Sequence, residues 1–257
     1  MKTASNVLSV TMFVLLFALA LSVWFYMADR AGWFDPIAPD GWGRAANRND
    51  ILKIPDYKVA YWGKPDAQYS IYATRGRRPP RAIVVHFNYP KSLYALVKYG
   101  HAQDFSRGGG SFGYHFYIGR SGKVVQGAPL SVRTNHIKSA RKPQRTAIAR
   151  HLWSGNTIGV SLVGACNPLR SPKWGNWKRC ARETPSPEQL EAGLAVVRAL
   201  QTRFNLECAE VYGHGDLQTD RDTFEGRTLS RLARDLCAEA TETVTPLKPQ
   251  ATTDQSG

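Results

Sequence analysis

Apolar positions follow three rhythms along this chain. The first is an unbroken run. From Val7 to Ala28 (VLSVTMFVLLFALALSVWFYMA) no residue is charged, which matches the ~20 apolar residues of a membrane-spanning helix. The second consists of short β-branched clusters. Ala82–Phe87 (AIVVHF) and Thr157–Val163 (TIGVSLV) read as strands buried on both faces. Tyr114–Ile118 (YHFYI) and Lys123–Gln126 (KVVQ) flank Gly119-Arg120-Ser121-Gly122, the pattern of a hairpin turn, and Glu210–Tyr212 reads as a last short strand. The third rhythm is helical. Ser186-Pro187-Glu188-Gln189 offers an N-cap serine, a proline at the first helical position and a glutamine three after the cap, which together make a capping box. Leu190, Leu194, Val197, Leu200 and Phe204 then recur at helical spacing and predict one core-facing side. Further helices are expected at about 228–238 and 92–99. Strands interleaved with helices predict an α/β fold around one sheet.

Lys2 precedes the long apolar run, and Asp29 and Arg30 end it. Ala18-Leu19-Ala20 offers a cleavage site, so a removed signal sequence is the alternative to an anchor. We favour the anchor, because the run continues through Trp24, Phe25 and Tyr26, residues suited to a membrane interface. Arg30, Arg44 and Arg48 follow the span, so the distribution of basic residues does not by itself assign the orientation. Residues 1–28 are therefore expected to be a membrane anchor or signal. Residues 29–80, rich in Gly, Pro and Trp, are expected to be a linker and irregular lead-in. The folded domain is expected at 81–240, and a polar, disordered tail at 241–257. There is no internal repeat.

With 43% hydrophobic residues in 257, the chain can form a real core. Its 34 Lys and Arg against 20 Asp and Glu give +14, which suits an anionic partner such as a cell envelope, a membrane surface or nucleic acid. No nucleic-acid motif organises the aromatic residues, so nucleic acid is not expected. The four cysteines, Cys166, Cys180, Cys208 and Cys237, form no C-x-x-C pair and allow three connectivities. Cys166–Cys180 and Cys208–Cys237, closing two local loops, are the preferred pairs, with buried free thiols as the alternative. Bridged cysteines would indicate an oxidising compartment.

Six histidines are present. His86 and His214 each end a predicted strand, where a rigid scaffold can hold a ligand at a cleft. A carboxylate-rich loop, Gly215-Asp216-Leu217-Gln218-Thr219-Asp220-Arg221-Asp222-Thr223-Phe224-Glu225-Gly226, follows His214. Asp222 is placed to swing back towards it. Two histidines and a carboxylate are a ligand set of catalytic zinc, the fourth position being left to water. A solvated acidic loop balancing Arg221 and Arg227 accounts for the same residues, and the chemistry alone leaves both readings open.

The segments VVHFNYP, GYHFYIGRSGKVVQG, RTNH, NTIGVSLVGA, TPSPEQLEAG and YGHGDLQTDRD occur in this order. The series, over roughly residues 80–238, resembles the type-2 N-acetylmuramoyl-L-alanine amidases, a group that includes phage amidases and peptidoglycan recognition proteins. The resemblance implies a mixed central sheet flanked by helices and a zinc cleft at one sheet edge. It implies hydrolysis of the amide between N-acetylmuramic acid and L-alanine in peptidoglycan. His86 and His214 match the family's zinc histidines. The third ligand, Cys or Asp, commonly lies eight or ten residues after the second histidine. Here those positions are Asp222 and Phe224, which makes Asp222 the expected ligand and Asp220 the fallback.

Tyr114 matches a tyrosine placed beside the zinc, and His136 one that lines the substrate groove; Asn88 is a second groove candidate. Strand alternation puts Tyr114, Phe116 and Ile118 on one face and His115 and Tyr117 on the other. His115 is expected to be a hydrogen-bonded sheet histidine, and His101 and His151 to be surface or structural. Two departures stand out. Ser161 occupies the position where some members carry a catalytic glutamate, and Asp220 the position of a lysine near the oxyanion. Arg221, one place away, is expected to serve in the lysine's stead. Some relatives keep this fold and bind peptidoglycan without cutting it, which is the alternative function. The expected location is the bacterial inner membrane, single-pass, with the domain in the periplasm, or secretion after signal cleavage.

Overall fold

Two seven-residue strands, β2 (Ala82–Asn88) and β5 (Thr157–Val163), form the centre of a six-stranded sheet. The computed structural model describes residues 12, 15–23, 51–62, 78–88, 92–94, 96–97, 113–137, 146–168, 180–219 and 221–244. The two central strands pair in parallel over their whole length, from Ala82↔Thr157 to Asn88↔Val163. β3 (Phe116–Ile118) lies parallel to β5, and β4 (Val124–Gln126) returns antiparallel to β3. β1 (Val59–Tyr61) closes one edge beside β4, and β8 (Val211–Gly213) closes the other in parallel with β2. β6 (Cys166–Pro168) and β7 (Cys180–Glu183) form a separate antiparallel ribbon. The sheet is mixed, as expected from the resemblance.

Period-two alternation explains how this sheet is covered. Ile83, Val85 and Phe87, with Phe116, Ile118, Ile158, Val160 and Leu162, form one core with α1 (Pro187–Phe204) and α3 (Arg227–Val244). Ala82 and Val84 face the other way, against Ile137, Leu152 and Leu217, the last residue of the one-turn helix α2 (His214–Leu217). His86 and Asn88 continue that second face. One side of β2 thus stays apolar throughout, while the other turns polar at its C-terminal end.

The capping box at α1 forms in both halves. Ser186 Oγ accepts from Gln189 N at 3.1 Å, and Gln189 Oε1 accepts from Ser186 N at 3.1 Å. Gln189 Nε2 also donates to Ile118 O and Val163 O, which bolts the helix start to the ends of β3 and β5. The β3–β4 hairpin turns through Gly122, whose φ of 78° suits glycine.

Several boundaries differ from expectation. The lead-in contains β1, and Leu52, Ile54 and Trp62 are buried, so the folded body begins before residue 81. β3 starts at Phe116 instead of Tyr114, and α3 runs on to Val244. Residues 93, 94, 96 and 97 are helical, in keeping with the third helix. Among the described residues no helix is long and apolar enough to cross a membrane. Of the expected span, Met12 and residues 15–23 are described as helical, with Leu15, Leu16, Phe17 and Leu19 exposed, and the rest lies outside the described residues. The anchor reading therefore gains no support from the fold. Most of the linker and the tail from 245 also lie outside.

Cys208 and Cys237 are joined in a disulfide across a separation of 29 residues, as expected. The side chains of Cys166 and Cys180 lie outside the described residues. The Cys208–Cys237 bond ties the 3-10 turn before β8 to α3. Replacing both cysteines by serine is expected to lower stability by about 3–4 kcal/mol, the chain-entropy value for a loop of this length. Denaturant titration with and without reductant measures it, and an unchanged midpoint would contradict the expectation.

Candidate metal centre

The pairing Val85↔Gly213 between parallel strands puts the next residue of each, His86 and His214, side by side on one face. Their ring centroids are 4.4 Å apart, and both are buried. A third side chain joins them. Glu225 Oε1 lies 3.0 Å from His86 Nδ1 and 2.9 Å from His214 Nδ1. One ligand atom from each residue lies within 4.8 Å of the other two. Among the described residues this is the group that could hold a metal ion.

Glycines explain how Glu225 arrives. A Cβ on Gly215 would lie 2.0 Å from Asp222 O, and one on Gly213 would lie 2.8 Å from Glu225 O. The 222–226 backbone therefore rests directly on the backbone around His214, and Gly215 N donates to Glu225 O at 3.0 Å. Asp222 begins the turn that makes this possible. Its Oδ1 accepts from Phe224 N at 2.9 Å, and its carbonyl accepts from Glu225 N at 3.0 Å. Gly226 completes the reversal at φ 76°, pressed against the Val85 carbonyl. The expectation of Asp222 as third ligand is thus corrected. Its carboxylate caps the turn, and the turn projects Glu225 inward. Asp220 lies outside the described residues.

The electrostatics suit a cation. Burial, followed by the neighbouring His214 charge, lowers His86 to about 3, so its imidazole is neutral. Burial alone would raise Glu225, but His214's charge and hydrogen bonds from both histidines outweigh it and hold the carboxyl well below its usual range. Two imidazole nitrogens and one carboxylate oxygen converge, and this donor set fits a divalent first-row metal.

Tyr114 packs against His86 at 4.7 Å between ring centroids. Because β3 begins only at Phe116, Tyr114 is not in phase with Phe116 and Ile118. It joins Tyr117 in the cluster on the site side of the sheet, while Phe116 and Ile118 face the helices. Burial, with Glu225's negative charge, pushes the Tyr114 hydroxyl up to about 12, against the opposing effects of a hydrogen bond with Asn88 and of Arg221. The hydroxyl therefore keeps its proton across the physiological range. The positive charge of Arg221 acts on both His86 and Tyr114.

Asn88 Nδ2 donates to Ser161 Oγ, which is buried in register with His86 and Tyr117. Asn88 thereby links Ser161 to Tyr114. His136 was expected in the groove, but it is buried behind His86, 5.5 Å away between ring centroids. Both its nitrogens are engaged, Nδ1 with Thr134 Oγ1 at 2.7 Å and Nε2 with Thr157 Oγ1 at 2.8 Å. Thr157 donates its own proton to Trp153 O, so His136 Nε2 is the donor in their pair. Gly159 leaves room for this ring, since a Cβ there would lie 2.7 Å from His136. His115 is the sheet histidine expected, with Nδ1 accepting from Gly159 N and Nε2 donating to Val132 O. His151 is exposed, and His101 lies outside the described residues. Glu225 went unrecognised in the sequence; its one signal was the spacing of Gly213, Gly215 and Gly226 around it.

A family model described as N-acetylmuramoyl-L-alanine amidase matches residues 76–239. Similar solved structures include an N-acetylmuramoyl-L-alanine amidase, LysC, from Clostridium intestinale, at 18% identity over 63% of this chain and 85% of that one, with a TM-score of 0.44. A mutant of Drosophila PGRP-LB is similar at 17% identity over 68% and 95% of the two chains, TM-score 0.46. PGRP-Hd from Alvinella pompejana is similar at 17% identity over 69% and 96%, TM-score 0.41. No curated protein sequence matches the chain.

Glu225→Gln is expected to weaken divalent-metal uptake by at least about 100-fold, beyond the usual effect of losing an outer partner. Asp222→Asn should cost less than about 10-fold, since it leaves the ligand set intact. Competition with a chromogenic chelator measures both, and a reversed order would reinstate Asp222.

Proposed function

The chain belongs to the N-acetylmuramoyl-L-alanine amidase family, and on that premise we propose that it hydrolyses the amide between N-acetylmuramic acid and L-alanine in peptidoglycan, using zinc held by His86, His214 and Glu225. The observation that carries this reading is the convergence of His86 Nδ1, His214 Nδ1 and Glu225 Oε1 at one end of the sheet. Zinc, when bound, supplies the Lewis acidity that activates water near neutral pH and polarises an amide carbonyl.

The chain's own residues do the rest. Tyr114, held protonated, donates a hydrogen bond to the negative charge that develops on the carbonyl oxygen. Asn88, itself held by Ser161, sets the position of that hydroxyl. Arg221 contributes positive charge in place of the lysine that many members carry, and can share the developing charge. The chain's +14 suits an anionic envelope and the carboxylates of the stem peptide.

The Cys208–Cys237 disulfide supports a location outside the cytoplasm. We place the domain on the periplasmic side of the inner membrane, tethered by residues 7–28, with secretion after cleavage as the alternative.

A second reading, peptidoglycan binding without cleavage, is favoured by Ser161 at the position of the family glutamate. The complete three-residue cluster favours hydrolysis.

Purified protein incubated with peptidoglycan is expected to release stem peptides bearing a free L-alanine amino group, and a chelator is expected to stop the release. Retention on the polymer without release would support the binding reading. Release untouched by the chelator would overturn the zinc mechanism. Tyr114→Phe should lower kcat by about 10²-fold, the effect of losing one oxyanion donor, with zinc content unchanged.

A further inference from the structure

We propose that Gln218 is a positioning residue that fixes the tautomer of His214, so that this ring presents Nδ1 to the metal. The inference rests on the zinc reading above and adds a residue to it. His214 Nε2 lies 2.8 Å from Gln218 Oε1, and both side chains are buried, each 1% exposed. A carboxamide oxygen only accepts, so the proton of this bond sits on Nε2. Without metal Nδ1 donates as well, to Glu225 Oε1 at 2.9 Å, and a metal would take the place of that proton while Nε2 keeps its own on Gln218.

Local structure makes this contact hard to avoid. α2 is a single turn, and residues four apart on a helix are neighbours. Gln218 N also donates to His214 O at 3.2 Å, so the residue that holds the ring closes the turn beneath it. Leu217 anchors that turn against Ala82 and Val84. The two histidines are unequal in this respect. His86 Nε2 is buried and meets no hydrogen-bond partner among the described residues. Its ring is oriented by Glu225 and by the faces of Tyr114 and His136. Of the two, only His214 has an acceptor at its far nitrogen among the described residues, and outer partners of this kind orient metal-ligating histidines and raise their basicity.

The test compares the wild-type chain with Gln218→Leu and Gln218→Glu. Zinc affinity is measured by chelator competition, and the His214 ring nitrogens of the metal-free, 15N-histidine-labelled protein by NMR. Gln218→Leu is expected to weaken zinc binding by about 10- to 100-fold. Gln218→Glu, which keeps an acceptor at that point, is expected to restore it to within a few-fold of wild type. The spectrum should show a proton on His214 Nε2 in wild type and lose it in Gln218→Leu. Equal affinity in wild type and Gln218→Leu, a Gln218→Glu as weak as Gln218→Leu, or a wild-type Nε2 without a proton would each overturn the proposal. Should Gln218→Leu fail to fold, Gln218→Met, unbranched and of similar length, takes its place. A wild type that takes up no zinc, yet shows the Nε2 proton, would sink the metal reading and leave the role of Gln218 standing.

Discussion

Parallel strands paired at Val85↔Gly213 leave no choice about what comes next: His86 and His214 must emerge together, on the same face, at the same height. Everything at the site depends on that register. A slip of one residue would turn every side chain of β8 to the opposite face and separate the two imidazoles by the sheet itself. β8 is an edge strand of only three residues, so pairing alone secures it weakly. α3 packs beneath it, and the Cys208–Cys237 bond clamps the chain just before it to that helix.

Contacts that are backbone on backbone set the position of the third candidate ligand, Glu225. Gly213 and Gly215 strip the side chains from both sides of His214, and the 222–226 turn settles onto the exposed peptide groups. The cost is real, because glycine loses more freedom on folding than any other residue. So is the cost of burying an ionised Glu225 between two imidazoles, which a cation or protons must offset. Neither expense improves the core. The largest apolar cluster lies on the opposite face of the sheet, where Ile83, Val85, Val160 and Leu162 meet α1 and α3. The division fits a candidate metal centre built on a scaffold that does not need it.

The departures from the family pattern form a coherent group. Where a strand glutamate is common, Ser161 hydrogen-bonds Asn88, and Asn88 reaches Tyr114. Where a loop lysine is common, Arg221 lies one residue on and still acts on His86 and Tyr114. Where Cys or Asp is common as third ligand, the 222–226 turn brings Glu225 beside both histidines. In each case the local residue has changed, and another side chain supplies polarity or charge at a nearby point.

By itself the sequence determined the elements that rest on local rules. The strands at 82–88 and 157–163, the hairpin through Gly122 and the capping box at Ser186 follow from β-branching, turn chemistry and side-chain reach within a few residues. It also marked His86 and His214, because both end strands. Only the tertiary structure decided which carboxylate meets the two histidines, the phase of Tyr114 and the burial of His136. Counting residues from His214 reached Asp222, but a turn held by Asp222's own hydrogen bonds carried the carboxylate three residues further on. Alternation placed Tyr114 with Phe116 because the start of β3 was invisible. Direction in space depends on strand register and on contacts between segments far apart in the chain, and neither is encoded in the spacing of neighbours.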